Sequence, residues 1–155
     1  MSDHSILHST FTLERRYPAS PGRVFAAWAD PAAKAQWFGR PGTEHELDFR
    51  VGGTETAVRP AGDGQPEIRF ESAYQDIVPD QRLVYVSTMY SDGTPVTVSL
   101  TTVQFEAAGD GTRLELTEHG AYLDGQEKPQ WREHGTNEHL DRLGAVLEAH
   151  VGVDR

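Results

Sequence analysis

No cysteine occurs among the 155 residues, which removes disulfide frameworks, thiolate nucleophiles and cysteine-bound zinc together. Long apolar runs are missing too, since nothing approaches the ~18 continuous apolar residues of a membrane span. The amino-terminal stretch MSDHSILHST has neither the basic n-region nor the apolar core of a secretory leader, so a cytoplasmic protein is expected. Positive charge is scarce: 14 Lys and Arg stand against 24 Asp and Glu, a formal net charge of −10. A field of that sign repels phosphate backbones and anionic lipid surfaces, so neither nucleic acid nor a membrane is an expected partner. There is no GxSxG, no P-loop and no GxGxxG, and Gly52-Gly53 and Gly62-Asp63-Gly64 read as turns. Covalent catalysis is thereby disfavoured, and no cofactor is implied.

What is present is the composition of one ordinary folded domain, 37% hydrophobic and 25% charged. A chain of this length buries roughly 68–70% of its extended surface and needs no metal or disulfide to hold a core. No repeat or low-complexity linker divides it.

Residues 6–17 alternate loosely, with Leu7, Phe11 and Leu13 able to share a face, and predict a first strand. Ser20-Pro21 and Asp30-Pro31 are each a capping side chain followed by proline at the first helical position. They predict two short helices in succession, the second ended by Gly39 in a left-handed conformation. From Thr43 to His119 the period falls to two. Gly, Pro and Asp punctuation marks six strands there, at 43–49, 54–59, 66–77, 82–90, 96–106 and 112–119.

The segment from Pro129 to His150 predicts a closing helix of about 33 Å. Leu140, Leu143 and Leu147 form its buried stripe, and the same stripe passes backward through Thr136 and Arg132 with His139 at its edge. Gly135 and Gly144 each cost about 1 kcal/mol relative to alanine inside a helix. Trp131 falls on the far side of the ideal wheel, and the pattern leaves open whether the helix bends or Trp131 packs on the preceding loop.

Strand, two short helices, six strands and a long helix is an α+β order, with hairpin connections that make neighbouring strands antiparallel. Such a sheet twists and curls, and a single helix about 10 Å wide cannot fill a broad concave face. The leftover volume is a candidate cavity.

Five segments carry a family resemblance in order and spacing: PASPGRVFAAWADPAAKAQWFG, LDFRVGG, DIVPDQRLVY, VQFEAAGDGTRLELTEHG and HLDRLGAVL. Together they resemble the activator-of-Hsp90-ATPase homologue-1-like family within the START-like (SRPBCC, Bet v 1-like) superfamily. The resemblance implies one domain over residues 6–151 with a helix-grip fold, a curved seven-stranded antiparallel sheet wrapped around the C-terminal helix and enclosing a mostly apolar cavity. Family members often carry a Gly-Trp pair in the first half of that helix. Here Gly135 is followed by Thr136, which implies a cavity without its usual aromatic plug unless Trp131 takes that space.

Several side chains could carry chemistry. Leu114, Leu116 and Glu118 share parity on one strand, so either Glu118 faces inward and needs a partner, which Arg132 or the ligand could supply, or the strand end is exposed and Glu118 is a surface acid. His139 and His119 are candidates for proton transfer because a free imidazole is the side chain with an unperturbed pKa near neutrality, although His119 has the outward parity. Glu118, His139 and Arg132 are the catalytic candidates. The expected ligand-binding set is Trp28, Trp37, Phe38, Tyr74, Tyr85, Met89, Glu118, Arg132, Thr136, His139, Leu140 and Leu143, an aromatic-rich lining that suits a flat apolar guest. Tyr122 and Trp131 belong to the same aromatic group. His4 with His8, Glu44-His45-Glu46, and His134 with Glu138 come nearest to metal-ligand spacing, but none has a third ligand, and no metal site is expected.

Three functions are therefore weighed. The leading one is a binding module for a small apolar or aromatic molecule. The alternatives are a cofactor-independent enzyme similar to the superfamily's cyclases and dehydratases, and an Hsp90-associated co-chaperone as the family name suggests. The last is weaker, because only a short stretch precedes the first strand, where the eukaryotic co-chaperones carry a further domain. Assembly as a homodimer is left open.

Overall fold

The computed structural model describes residues 4–153; the leader reading over residues 1–3 lies outside the described residues. The chain forms β1 (Ile6–Tyr17), α1 (Pro21–Ala29), α2 (Pro31–Ala35), β2 (Glu44–Leu47), β3 (Thr54–Arg59), β4 (Ile68–Val78), β5 (Arg82–Ser91), β6 (Thr94–Ala108), β7 (Gly111–Leu123) and α3 (Pro129–Val153). All seven strands join one antiparallel sheet in the order β1-β7-β6-β5-β4-β3-β2. The strands from β2 to β7 are a simple meander, and β1 reaches the far edge through the two short helices. This is the expected α+β helix-grip architecture.

Local chemistry sets the helix starts. Ser20 Oγ accepts from Arg23 N at 3.3 Å and Asp30 Oδ2 from Ala33 N at 3.1 Å, each ahead of a proline that needs no donor partner. The second helix is shorter than its expected reach to Phe38. Regular helix ends at Ala35, and one further turn, closed by Phe38 N on Lys34 O at 2.9 Å, leads into Gly39 at φ +88°.

The long hairpins run further than the alternation suggested. Asp92 and Gly93 both take positive φ, +47° and +82°, so a two-residue turn suffices and Thr94 and Pro95 pair within β6. β7 continues to Leu123 because β1 lies beside it, with Ile6 opposite Leu123. β2 in turn contracts to four residues. Leu7, expected on the inward face with Phe11 and Leu13, is exposed near the start of the edge strand β1.

The core lies between the concave face and α3. Leu140, Leu143 and Leu147 are buried against Leu13, Leu83, Val103, Phe105, Leu114 and Leu116, with Val24, Phe25 and Trp28 of α1 closing the side. Gly144 has a packing reason: a Cβ there would stand 3.3 Å from the Tyr17 ring, whose hydroxyl donates to Leu140 O at 2.8 Å. Among the described residues no helix is long and apolar enough to cross a membrane.

Candidate functional site

Leucines fill the second half of α3 against the sheet, but the first half does not meet the sheet in this way. Between the two lies a cavity of about 260 Å³. Inward positions of the strands line one side of it: Ala57 and, toward the outside, the half-buried Arg59 of β3, Ile68 and Phe70 of β4, Tyr85 and Met89 of β5, and Leu116 and Glu118 of β7. Trp28, Trp37, Phe38, Gly39, Arg40 and Thr43 form the side wall, and Trp131, Arg132, Gly135, Thr136, His139 and Leu140 of α3 form the roof. Gly135 faces open space, with nothing within 4 Å of where a Cβ would stand. Trp131 is 58% exposed and stands at the rim, 5.3 Å from Lys128 Nζ, so it does not plug the space left by Thr136.

Ten of the twelve residues read from the sequence as ligand-binding meet at this cavity. The other two lie in the core beside it: Tyr74 packs against Phe49 and Tyr85, and Leu143, in the second half of α3, is part of the leucine stripe buried against the sheet. Tyr122 is buried without lining the cavity.

The polar group at the floor is tightly satisfied. Glu118 is 6% and Arg132 is 9% exposed. Arg132 Nε donates to Glu118 Oε2 at 2.9 Å and Thr101 Oγ1 donates to Oε1 at 3.1 Å, so both carboxylate oxygens are engaged. The guanidinium also reaches Ser99 Oγ at 3.2 Å, lies 3.7 Å from Glu127 Oε1 and sits 5.4 Å from the Phe70 ring centre. Burial works against its charge, yet Glu118 and Glu127 hold its pKa above that of an ordinary arginine. Burial raises the Glu127 carboxyl, which accepts from Thr97 Oγ1 at 2.6 Å.

His139 lies against Phe38, ring centres 4.9 Å apart, and its Nε2 accepts from Gly39 N at 3.4 Å. Burial first, then the cations Arg142, Lys34 and Arg132, bring its pKa down to about 4. The imidazole is therefore neutral near pH 7, with the proton on Nδ1. The Thr136 hydroxyl is occupied on its own helix, donating to Arg132 O at 3.0 Å. His119 faces outward and pairs with Thr10 Oγ1 at 2.9 Å.

A second buried cluster supports the wall, and the sequence reading missed it. Lys34 and Glu55, each 1% exposed, pair at 2.7 Å, and His45 Nε2 reaches the other Glu55 oxygen at 2.7 Å. The rings of Phe38, Trp28, Trp37 and Tyr85 surround the ammonium at 4.6–6.0 Å. Burial pulls Lys34 below the ordinary lysine value. It opposes the charge of Glu55 too, but Lys34 and His45 outweigh it and hold that carboxyl below the usual glutamate value. The available signal was parity, since Glu55 shares the inward face with Ala57. Nothing nearby in sequence marks Lys34 as its partner.

The other arrangements near metal-ligand spacing have simpler partners. His4 lies 3.7 Å from Asp124 and His134 2.7 Å from Glu138. Among the described residues no three His, Asp or Glu side chains are grouped to hold a metal ion.

Comparison with known proteins agrees with this architecture. The model of the activator of Hsp90 ATPase homolog 1-like proteins matches residues 18–148. The crystal structure of the Mll3558 protein from Rhizobium loti is 49% identical, with a TM-score of 0.86 over 92% of this chain and 99% of that one. A protein from Rhizobium leguminosarum is 39% identical, with a TM-score of 0.90 over 96% and 99%. Protein CV1439 from Chromobacterium violaceum is 28% identical, with a TM-score of 0.74 over 90% and 96%. No curated protein matches the chain.

Proposed function

Because the chain belongs to the activator of Hsp90 ATPase homolog 1-like family, we propose that it is a cytoplasmic binding module that holds a small apolar or aromatic molecule between sheet and helix. The observation that carries this reading is an aromatic-rich cavity whose two most buried charged groups, Glu118 and Arg132, already satisfy one another. Glu118, Arg132 and the Thr136 hydroxyl have protein partners, and Phe38, Phe70, Tyr85, Trp28 and Trp37 supply the contact surface. A lining of that kind rewards burial of apolar area and asks few hydrogen bonds of its guest. One exception among the lining groups is the buried indole N–H of Trp28, which has no acceptor among the described residues.

The enzyme reading has less support. General acid or base chemistry needs a group free to exchange a proton with a bound molecule, whereas both Glu118 oxygens are engaged and His139 is held neutral with Nε2 on Gly39 N. The test is solvent extraction and mass spectrometry of protein purified from its native host. A stoichiometric small apolar compound is expected, lost from a Thr136→Trp variant. A clean extract from wild type, together with no binding of neutral aromatic probes, would count against the reading.

A further inference from the structure

Two arginines at the cavity differ from seven other arginines among the described residues. Residues 55, 57 and 59 of β3 share the inward face, with Glu55 and Ala57 buried and Arg59 half-buried in the cavity wall. Arg40, on the connection from α2 to β2, is exposed and lines the same cavity. Arg15, Arg50, Arg69, Arg82, Arg113 and Arg132 each pair with a carboxylate, and Arg142 donates to Trp37 O at 3.1 Å. The side chains of Arg40 and Arg59 have no hydrogen-bond or carboxylate partner among the described residues. With 24 acidic residues against 14 basic ones, partners are plentiful elsewhere on the chain, yet the two guanidinium groups that line one cavity stand unpaired.

We propose that the guest is an amphipathic acid, with an apolar or aromatic body inside the cavity and one oxyanion group at its mouth, bound by Arg59 with Arg40 beside it. This assignment rests on the cavity reading above and names the class of ligand. A guanidinium presents a planar fork of donors that matches an oxyanion bidentately, and a half-buried one is screened less than one in open water. Arg132 cannot take that role, because its donors serve Glu118 and Ser99, and Glu118 and Glu127 would repel a second anion. The overall negative field also disfavours anions, so an acid enters only where local positive charge offsets that field, and Arg40 and Arg59 supply it.

The test uses two probes with the same rings, the anionic 1-anilinonaphthalene-8-sulfonate and the neutral N-phenyl-1-naphthylamine, titrated by fluorescence at fixed ionic strength. Wild type is expected to bind the sulfonate about ten-fold more tightly. Arg59→Gln should remove most of that preference and Arg40→Gln a smaller part, both leaving the neutral probe within about two-fold. Arg16→Gln, on the outward face of β1, should change neither. Thermal melts check that each variant is folded. Equal affinity for the two probes, sulfonate binding unaffected by the double Arg40→Gln and Arg59→Gln variant, or an equal loss in Arg16→Gln would overturn the acid assignment while the cavity reading stands. Failure of both probes to bind wild type, or binding indifferent to Thr136→Trp, would remove the cavity reading and this assignment with it.

Discussion

Arg132 Nε and Glu118 Oε2 lie 2.9 Å apart inside the protein, joining the first half of α3 to the inward face of β7 at the floor of the cavity. The pair sits where the leucine stripe of α3 gives way to polar residues. Its cost is desolvation of two charges, recovered by mutual attraction and by the further bonds from Thr101 and to Ser99.

Breaking that pair from one side should therefore be worse than removing it whole. Arg132→Met leaves Glu118 buried without its cation and is expected to cost about 3–5 kcal/mol in urea unfolding. The double variant Glu118→Leu with Arg132→Met should recover most of that loss. A double variant as unstable as the single one would show that the pair contributes net stability beyond mutual compensation.

Lys34 and Glu55 follow the same logic with a pH signature. Lys34→Met should destabilise by about 3–5 kcal/mol, against less than about 1 kcal/mol for Arg50→Met at the exposed pair with Asp48. The folded-state pKa of Glu55 lies below the unperturbed 4.5, so the unfolded chain takes up its proton first as the pH falls. The stabilisation is complete above pH 4.5 and is lost as the pH drops through the folded value. Chemical denaturation in steps from pH 5 downward should show a shallower decline in Glu55→Gln than in wild type.

His139 acts in a higher window. Its pKa is about 4 in the folded protein against 6.5 for a free imidazole, so between those values the unfolded chain binds a proton that the native protein does not. Stability should fall as the pH drops from 6.5 toward 4, by about 2–3 kcal/mol from this residue alone. His139→Gln should remove that part of the decline. Imidazole resonances followed by NMR should show His139 neutral, protonated on Nδ1, at pH 6; a midpoint near 6.5 would refute the burial argument.

Filling the cavity separates binding from folding. Thr136 lies on the roof beside Gly135, with open space next to it, so Thr136→Trp should enter the hollow with a stability change within about 1.5 kcal/mol. Affinity for N-phenyl-1-naphthylamine should drop at least about ten-fold, because the added ring competes for the same apolar surface. Unchanged affinity would place the probe elsewhere.

The parts of this protein legible in one dimension are those whose causes lie within a few residues. Ser20-Pro21 and Asp30-Pro31 start helices because cap and proline act on the next turn, and parity put Glu118 on the face of Leu114 and Leu116, where the structure buries it. Strand ends were less legible. How far β7 runs depends on β1, more than a hundred residues earlier in the chain, and whether Thr94 pairs depends on how tightly Asp92-Gly93 turns.

Composition and periodicity by themselves determined the α+β order, an antiparallel sheet, one covering helix and Arg132 as one candidate partner for Glu118, since each follows from local preference and from which faces are apolar. Tertiary structure alone decided that Lys34 is buried on Glu55 and His45, that Trp131 stands at the rim, and that Arg40 and Arg59 line one cavity unpaired. The physical reason is that charge pairing and cavity lining depend on distances across the sheet, which are fixed only when α2, β3 and α3 pack against one another.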